Sequence, residues 1–307
     1  MKIHTVGGYS EVGKNMTVVE LKDDAFVLDC GFFLPAIVEL EEREKIYTEN
    51  RLRGIGAIPD DNVIPEELRN KVRAIIPSHA HLDHIGAIPY LGQRYNAPVL
   101  GTPFTIEVLK TLYMDEEIPI RNKLIPIQPN QSYIIQGKNR EYQIDFINMT
   151  HSTIQTSMIA IHTEEGVFLY SNDFKFDNNP ILGLKPNYDA LKAIAKEGVK
   201  ALVVDALYAP DNRKTASEKV ARTLLEDVML TTTNDKAGMI VTTFSSHIAR
   251  LKSIVDFGKK LNREIVFVGR SLNKYTSAAR NVGQCPFAKD IRIVSYRRQV
   301  EKALKRA

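Results

Sequence analysis

The sequence predicts a layered α/β fold followed by a second, smaller α/β domain. Three observations carry this. Short apolar runs rich in Val, Ile, Phe and Tyr recur over the first 210 residues, each closed by a turn residue: Met16 to Leu21, Ala25 to Asp29, Val72 to Pro77, Tyr142 to Asn148 and Val167 to Asn172. Such runs are strand signals. Stretches with helical character, such as Ile106 to Tyr113 and Tyr188 to Lys196, lie between them, and strands with helices outside them make a layered domain. After Asp205 the rhythm changes to a regular alternation: helix Ala216 to Met229, strand Gly238 to Phe244, helix His247 to Lys260, strand Glu264 to Val268 and helix Lys274 to Asn281. That is the pattern of parallel βαβ units, so the domains are expected at residues 1–208 and 209–307.

Taken from the start, Met1 to Ser10 lacks a basic segment followed by a long apolar one, so no secretory signal is expected. No apolar run approaches the roughly 18 residues that would cross a membrane, and a cytoplasmic location is expected. Between Phe33 and Leu68 a long segment with the charged cluster Glu39 to Lys45 interrupts the strand pattern. It reads either as a lid or substrate wall or as an insertion with no role. Cys30 and Cys285 have neither the number nor the spacing of a disulfide framework, and both read as buried thiols.

The net charge of +4 conceals an asymmetry. From Arg250 to the C-terminus there are 15 basic and 4 acidic residues, a net +11, which leaves −7 on the rest. A basic block beside an acidic body is the footprint of a polyanion-binding surface, because Lys and Arg release the counterions condensed on phosphates. A solvated basic face on terminal helices is the alternative.

The chemistry is concentrated after the run Val72 to Pro77, where the chain reads Ser78 His79 Ala80 His81 Leu82 Asp83 His84, the pattern HxHxDH. In an extended segment alternate residues point the same way, so His79 and His81 can hold one ion while Asp83 and His84 turn toward another. His151 and Asp173 follow two further strands, Tyr142 to Asn148 and Val167 to Tyr170. Alone each would read as a turn or loop residue; with HxHxDH they complete a ligand set. The assignment is His79, His81 and His151 to a first zinc, Asp83 and His84 to a second, and Asp173 as the bridge. Two divalent ions about 4 Å apart activate a water and clamp the oxygens of a displacement at phosphorus, so Asp83 and Asp173 also count as catalytic.

The order HAHLDH, then His151 Ser152 Thr153, then Asn172 Asp173 Phe174 Lys175, resembles the metallo-β-lactamase signature in the ribonuclease J family of the β-CASP nuclease group. The opening Val6 to Met16, VGGYSEVGKNM, is similar to that family's opening, most strongly in its archaeal members. Val203 Val204 Asp205 resembles the acidic first motif of the β-CASP insertion, which adds Asp205 to the catalytic set. The resemblance implies an αββα metallo-β-lactamase sandwich with a partial β-CASP domain, and a zinc-dependent ribonuclease that attacks single-stranded RNA from the 5′ end and also cuts internally. It implies a homodimer for full-length relatives and no membrane partner. The sequence departs from the family at Ile154, where relatives carry Pro, and at Asn172, where they carry Gly. Relatives also continue into two further histidine motifs. Of the seven histidines here four are assigned, His4 and His162 fall in strands and His247 opens a helix, so the second zinc is expected to lack its last ligand.

In the smaller domain Ser245 and Ser246 precede a helix. They read equally as ligands of an RNA phosphate, with Arg250 and Arg270 beside them, or as a simple helix cap. Two other activities share the metal ligands: a β-CASP endonuclease of the RNA 3′-end processing type and a small-molecule thioester or lactam hydrolase. The basic block argues against the second.

Overall fold

In the computed structural model residues 1–40, 47–232 and 237–294 are described. Residues 41–45 of the charged cluster, and Arg297, Arg298, Lys302, Lys305 and Arg306 of the basic block, lie outside them. The described residues fall into two compact units. One comprises Met1–Met149, Gln155–Phe174 and Asn187–Asn212; the other comprises Thr150–Ile154, Lys175–Pro186 and Arg213–Ala307.

The first unit opens with strands β1 (Lys2–Gly7), β2 (Met16–Glu20) and β3 (Ala25–Leu28), and continues through helices α1 (Leu34–Leu40), α2 (Glu49–Gly54) and α3 (Glu66–Arg69) to β4 (Val72–Ile76). The short helices α4 (Leu82–Ile85) and α5 (Ile88–Leu91) precede β5 (Val99–Gly101), α6 (Pro103–Asp115) and β6 (Leu124–Pro126). Then come β7 (Ser132–Gln136), β8 (Glu141–Asn148), β9 (Ser157–Thr163), β10 (Gly166–Ser171), α7 (Tyr188–Glu197) and β11 (Val199–Val204). The strands form two sheets, one in the order β1-β2-β3-β4-β5-β6 and one in the order β11-β10-β9-β8-β7.

Period-two alternation explains the layering. Phe26, Leu28, Ala74 and Ile76 of the first sheet share a buried cluster with Ile144, Phe146, Ile159, Ile161, Phe168 and Tyr170 of the second. The intervening residues Ile147, Met158, Ala160, Val167 and Leu169 form another cluster with Ile194 of α7. On the far side of the first sheet α6 lies along β5 and β6. The layers are therefore helix, sheet, sheet, helix. Strands buried on both faces read as continuous apolar runs, which is how the sequence presents them.

The described part of the segment between Phe33 and Leu68 has more local structure than the sequence suggests. Beside its three helices it is pinned by Asp61, which is fully buried and accepts from Arg53 at 2.6 Å and from Tyr95 at 3.2 Å, with Arg94 at 3.1 Å.

The second unit contains α8 (Glu218–Thr231), α9 (Ile248–Lys260), β12 (Val266–Val268), α10 (Arg270–Asn281) and β13 (Arg292–Val294). Leu251, Val255 and Phe257 of α9, Ala278 and Ala279 of α10, Phe267 and Phe287 are buried. The helices agree with the expected ones to within a few residues. The strand expected over Gly238 to Phe244 is not formed: the run has no sheet partner among the described residues, and Ile240 and Phe244 are 84% and 80% exposed. Apolar periodicity marks a segment fit for a strand, but only pairing makes one, and β12 pairs in parallel with β13 instead. No helix among the described residues is long and apolar enough to cross a membrane.

Candidate metal centre

β4 ends at Ile76, and the next eight residues carry Ser78, His79, His81, Asp83 and His84 away from the sheet edge. His81 has extended backbone (φ −78°, ψ 149°), and its carbonyl accepts from the amides of His84 and Ile85 at 3.0 Å each, so the chain turns into α4 there. Asp83 and His84 thereby fall in the first turn of α4, and the ring of His84 stands 3.9 Å from that of His79. Three backbone bonds clamp the turn: Asn15 N to Asp83 O at 3.1 Å, Cys30 N to His84 O at 2.7 Å and Phe32 N to Leu82 O at 2.9 Å. The approach is so close that a Cβ on Gly31 would stand 1.6 Å from the Asp83 carbonyl oxygen, which leaves glycine as the residue that fits.

Behind the turn lies a carboxylate that the sequence reading passed over as a strand terminator. Asp29 is fully buried with φ +56°. Its Oδ1 accepts from Ser78 N at 2.7 Å. Its Oδ2 accepts from Ser78 Oγ at 3.0 Å, Tyr170 OH at 2.8 Å and Asn172 Nδ2 at 3.2 Å, and lies 2.8 Å from His84 Nδ1. An acid held this way keeps Nδ1 of His84 protonated, so that Nε2 is the nitrogen that presents a lone pair to a cation once its own proton leaves. Ser78 Oγ, having donated to Asp29, accepts from His79 Nδ1 at 3.0 Å, so Nε2 of His79 also presents a lone pair. The signal that points to Asp29 is an acid at the end of the wholly buried strand β3, followed by two small residues; Tyr170 and Asn172 carry no comparable signal.

The ligand atoms converge. One group comprises His79, His81, His151 and Asp173, and another comprises Asp83, His84 and Asp173; within each, one donor atom per residue lies within 4.8 Å of all the others. His79 Nε2 and His81 Nδ1 are 3.0 Å apart. Two nitrogens sharing a tetrahedral zinc at about 2.1 Å stand roughly 3.4 Å apart, so the pair is close to a coordination edge. Oδ2 of Asp173 lies 3.9 Å from His79 Nε2 and 3.5 Å from His84 Nε2, between the two groups. Asp83 Oδ2 is 3.5 Å from His84 Nε2. The donor set, its spacing and the fixed tautomers fit divalent metal ions.

The electrostatics favour positive charge. Burial alone would push His84 down, but the charges of Asp29 and Asp83 and hydrogen bonds to Asp173 and Asp29 hold it well above the ordinary histidine value. Asp83 is half-buried, which opposes ionisation, yet its attraction to His84 and His81 outweighs this and brings it down to about 2.

Other candidates stand apart from these groups. Asp205 follows β11, is exposed, and accepts from the Leu207 amide at 2.8 Å; it joins neither group. In the second unit the cap of α9 is His247, whose Nδ1 accepts from the Arg250 amide at 3.4 Å, so neither Ser245 nor Ser246 is the cap residue. Ser246 is buried. The Arg250 guanidinium forms a bidentate pair with Glu218, Nε to Oε1 at 2.6 Å and a terminal nitrogen to Oε2 at 2.8 Å. Binding an RNA phosphate through Arg250 would require breaking that pair. Arg270, the first residue of α10, is exposed.

The family profile of the Metallo-beta-lactamase superfamily matches residues 9–229, and that of the Ribonuclease J, beta-CASP domain matches residues 236–303. The chain is 39% identical over 308 aligned residues to Ribonuclease J of Methanocaldococcus jannaschii, covering 99% of this chain and 68% of the relative. To Ribonuclease J of Pyrococcus abyssi it is 42% identical, covering 99% and 67%. The chain belongs to the ribonuclease J family. As a ribonuclease J family member it shares its overall fold with a protein of unknown function from Enterococcus faecalis V583, at a TM-score of 0.63 and 14% identity, over 95% of this chain and 69% of that one. Its αββα unit is the metallo-β-lactamase fold, joined to a β-CASP domain.

Proposed function

We propose that this ribonuclease J family member hydrolyses RNA phosphodiester bonds in the cytoplasm with two zinc ions, proceeding from the 5′ end of single-stranded RNA and also able to cut internally. His79, His81 and His151 would hold the first zinc and Asp83 and His84 the second, with Asp173 placed to serve both. The observation that carries the reading is Asp173, one of whose oxygens lies between the imidazoles of His79 and His84 and belongs to both ligand groups. Family membership supports a metal-dependent ribonuclease of RNA processing. Domain limits at 1–208 and 209–307 are supported by the start of the main segment of the second unit at Arg213.

Zinc ions held by these residues would supply an activated water and neutralise charge on the phosphoryl oxygens. The chain's own residues set the stage. Asp29 and Ser78 hold the rear nitrogens of His84 and His79, so Nε2 is the nitrogen each ring turns to the site, and His84 gives up its Nε2 proton as a cation is taken in. Asp83, at about 2, is an anion at neutral pH and acts as a ligand rather than as a proton donor. Ser245, half-buried, and Arg270, exposed, contact the RNA backbone without reading its sequence, while buried Ser246 shapes the turn beneath them.

The test is cleavage of a 5′-monophosphorylated single strand by the zinc-loaded chain, with release of nucleotides from the 5′ end and loss of activity on chelation. His81→Ala should lose about one zinc per chain and at least about 100-fold in rate, since even partners of ligands are worth 10- to 100-fold. Full zinc retention by that variant would refute the ligand assignment, and exclusively internal cuts would make the enzyme an endonuclease of the 3′-end processing type.

A further inference from the structure

We propose that the side-chain amide of Asn15 binds a phosphoryl oxygen of the substrate beside the Asp83, His84 and Asp173 group, an inference that rests on the phosphodiesterase reading above. Asn15 is fixed from several sides. Its backbone N–H donates to the Asp83 carbonyl at 3.1 Å, its Nδ2 donates to the same carbonyl at 3.0 Å, and its own carbonyl accepts from Gly31 N–H at 3.1 Å.

These contacts decide which way the amide faces. Presenting Oδ1 to the Asp83 carbonyl would oppose two oxygen lone pairs, so the nitrogen must occupy that position. Oδ1 then rests over Gly8, where an added Cβ would come within 2.4 Å of it; Gly8 has φ +85°, and the turn keeps that space open. The amide nitrogen carries two hydrogens, and the Asp83 carbonyl takes one. The nitrogen is also 3.2 Å from His84 Nε2, which places the other hydrogen at the face where Asp83 Oδ2 and Asp173 Oδ2 converge, each 3.5 Å from Nε2.

Nδ1 is held by Asp29, so Nε2 is the nitrogen whose lone pair meets a cation once its own proton has left. Once that lone pair is committed to a cation, the second N–H of Asn15 needs a different acceptor. A non-bridging phosphoryl oxygen is the acceptor the reaction brings, and a hydrogen bond to an anionic oxygen is stronger than one to neutral nitrogen. Neutrality suits the position: Lys or Arg in its place would repel the cation at short range, whereas an amide offers a donor without net charge. Asn15 thus combines two tasks, clamping the turn that carries Asp83 and His84 and orienting the group to be cleaved.

The test measures binding of inorganic phosphate to the zinc-loaded chain by calorimetry, with metal content and second-zinc affinity measured in parallel, for the wild type, Asn15→Ala and Asn15→Asp. Asn15→Ala should keep its zinc and bind phosphate about tenfold more weakly. Asn15→Asp puts a carboxylate at the same place, so it should hold the second zinc more tightly while phosphate binding falls further. Opposite movement of the two affinities is something a purely structural clamp would not produce. A folded, zinc-loaded Asn15→Ala with unchanged phosphate affinity would overturn the inference, as would a parallel loss of zinc and phosphate in that variant. A wild-type chain that takes up zinc but binds no phosphate would remove the phosphodiesterase reading itself, and the inference with it.

Discussion

Two places in this chain look alike in sequence. At each, an apolar run gives way to small polar residues and a helix: Ser78 to His84 after β4, and Ser245 to Arg250 before and into α9. Their electrostatics differ. At the first, buried Asp29 and Ser78 take the rear nitrogens of His84 and His79, and the front nitrogens face the imidazoles of His81 and His151 and the carboxylates of Asp83 and Asp173, with net demand for positive charge. At the second, Glu218 is buried and pairs with Arg250 and with His247, whose Nε2 lies 3.3 Å from Oε2, so charge is balanced within the protein. The charges of Glu218, Arg250 and His247, which satisfy one another, are scaffold. A cluster whose lone pairs are held outward by partners behind them is prepared for a ligand.

Asp29→Ala should break the comparison most severely. It leaves the Ser78 amide and hydroxyl, the Tyr170 phenol, the Asn172 amide and the His84 imidazole without their shared acceptor in a dry interior. Breaking a buried charged pair costs about 3–5 kcal/mol, and a loss of that size in denaturant unfolding is expected. Asp29→Asn, which keeps the shape and two acceptor lone pairs but adds unwanted donors, should recover part of the stability and less of the zinc at the Asp83 and His84 group. If Asp29→Ala unfolds no more easily than wild type, the carboxylate is not the anchor described.

How much of this was legible beforehand follows the range of the interactions. HxHxDH, with His151 and Asp173, is a local pattern whose residue types carry the chemistry, and the structure gathers those residues into the two groups. The two-layered β unit was legible because strands buried on both faces leave unbroken apolar runs. Asp29, Asn15 and Tyr170 were not, since their meaning lies in contacts 55 and 69 residues away for the Asp29–His84 and Asn15–His84 pairs and 141 away for Tyr170–Asp29. Pairing misled the reading of Gly238 to Phe244, because a strand's partner cannot be read from the strand. Arg250 was ambiguous for a related reason: a basic residue near a helix start suggests phosphate until the distant Glu218 is seen to hold it.

The closed cluster makes a smaller and pH-dependent prediction. Glu218 is buried, which resists ionisation, but hydrogen bonds from Arg250 and His247 outweigh this and bring its pKa from 4.5 down to about 2. A depressed folded-state value means that protonation favours the unfolded chain. The pair should therefore contribute fully above about pH 4.5 and lose its contribution as pH falls toward about 2. Glu218→Gln should lower neutral-pH stability by about 2 kcal/mol, within the range for a hydrogen bond to a charged group, and flatten the acid side of the stability profile. An unchanged acid profile in that variant would show that the pair does not hold the second unit together. Arg250→Glu is a poor probe of RNA binding, because it would set a second carboxylate against buried Glu218 and disturb the fold first.

Arg270→Glu is the cleaner probe of the open basic surface, and its expected effect is the smallest. Arg270 is exposed at the first position of α10, where the helix dipole disfavours a cation, so replacing it should leave stability unchanged or slightly improved. A contact to an RNA phosphate contributes affinity through release of counterions, independent of sequence. Loss of one such contact should weaken RNA binding severalfold for every sequence tried and shallow the dependence of log affinity on log salt by about 0.7 to 1 for each neutralised phosphate lost, while zinc content stays at the wild-type value. Arg280→Glu, at the other end of the same helix, serves as the control for net charge alone. If both reversals weaken binding equally, α10 contributes only a diffuse field; if Arg270→Glu alone changes the salt slope, a phosphate sits at the start of α10.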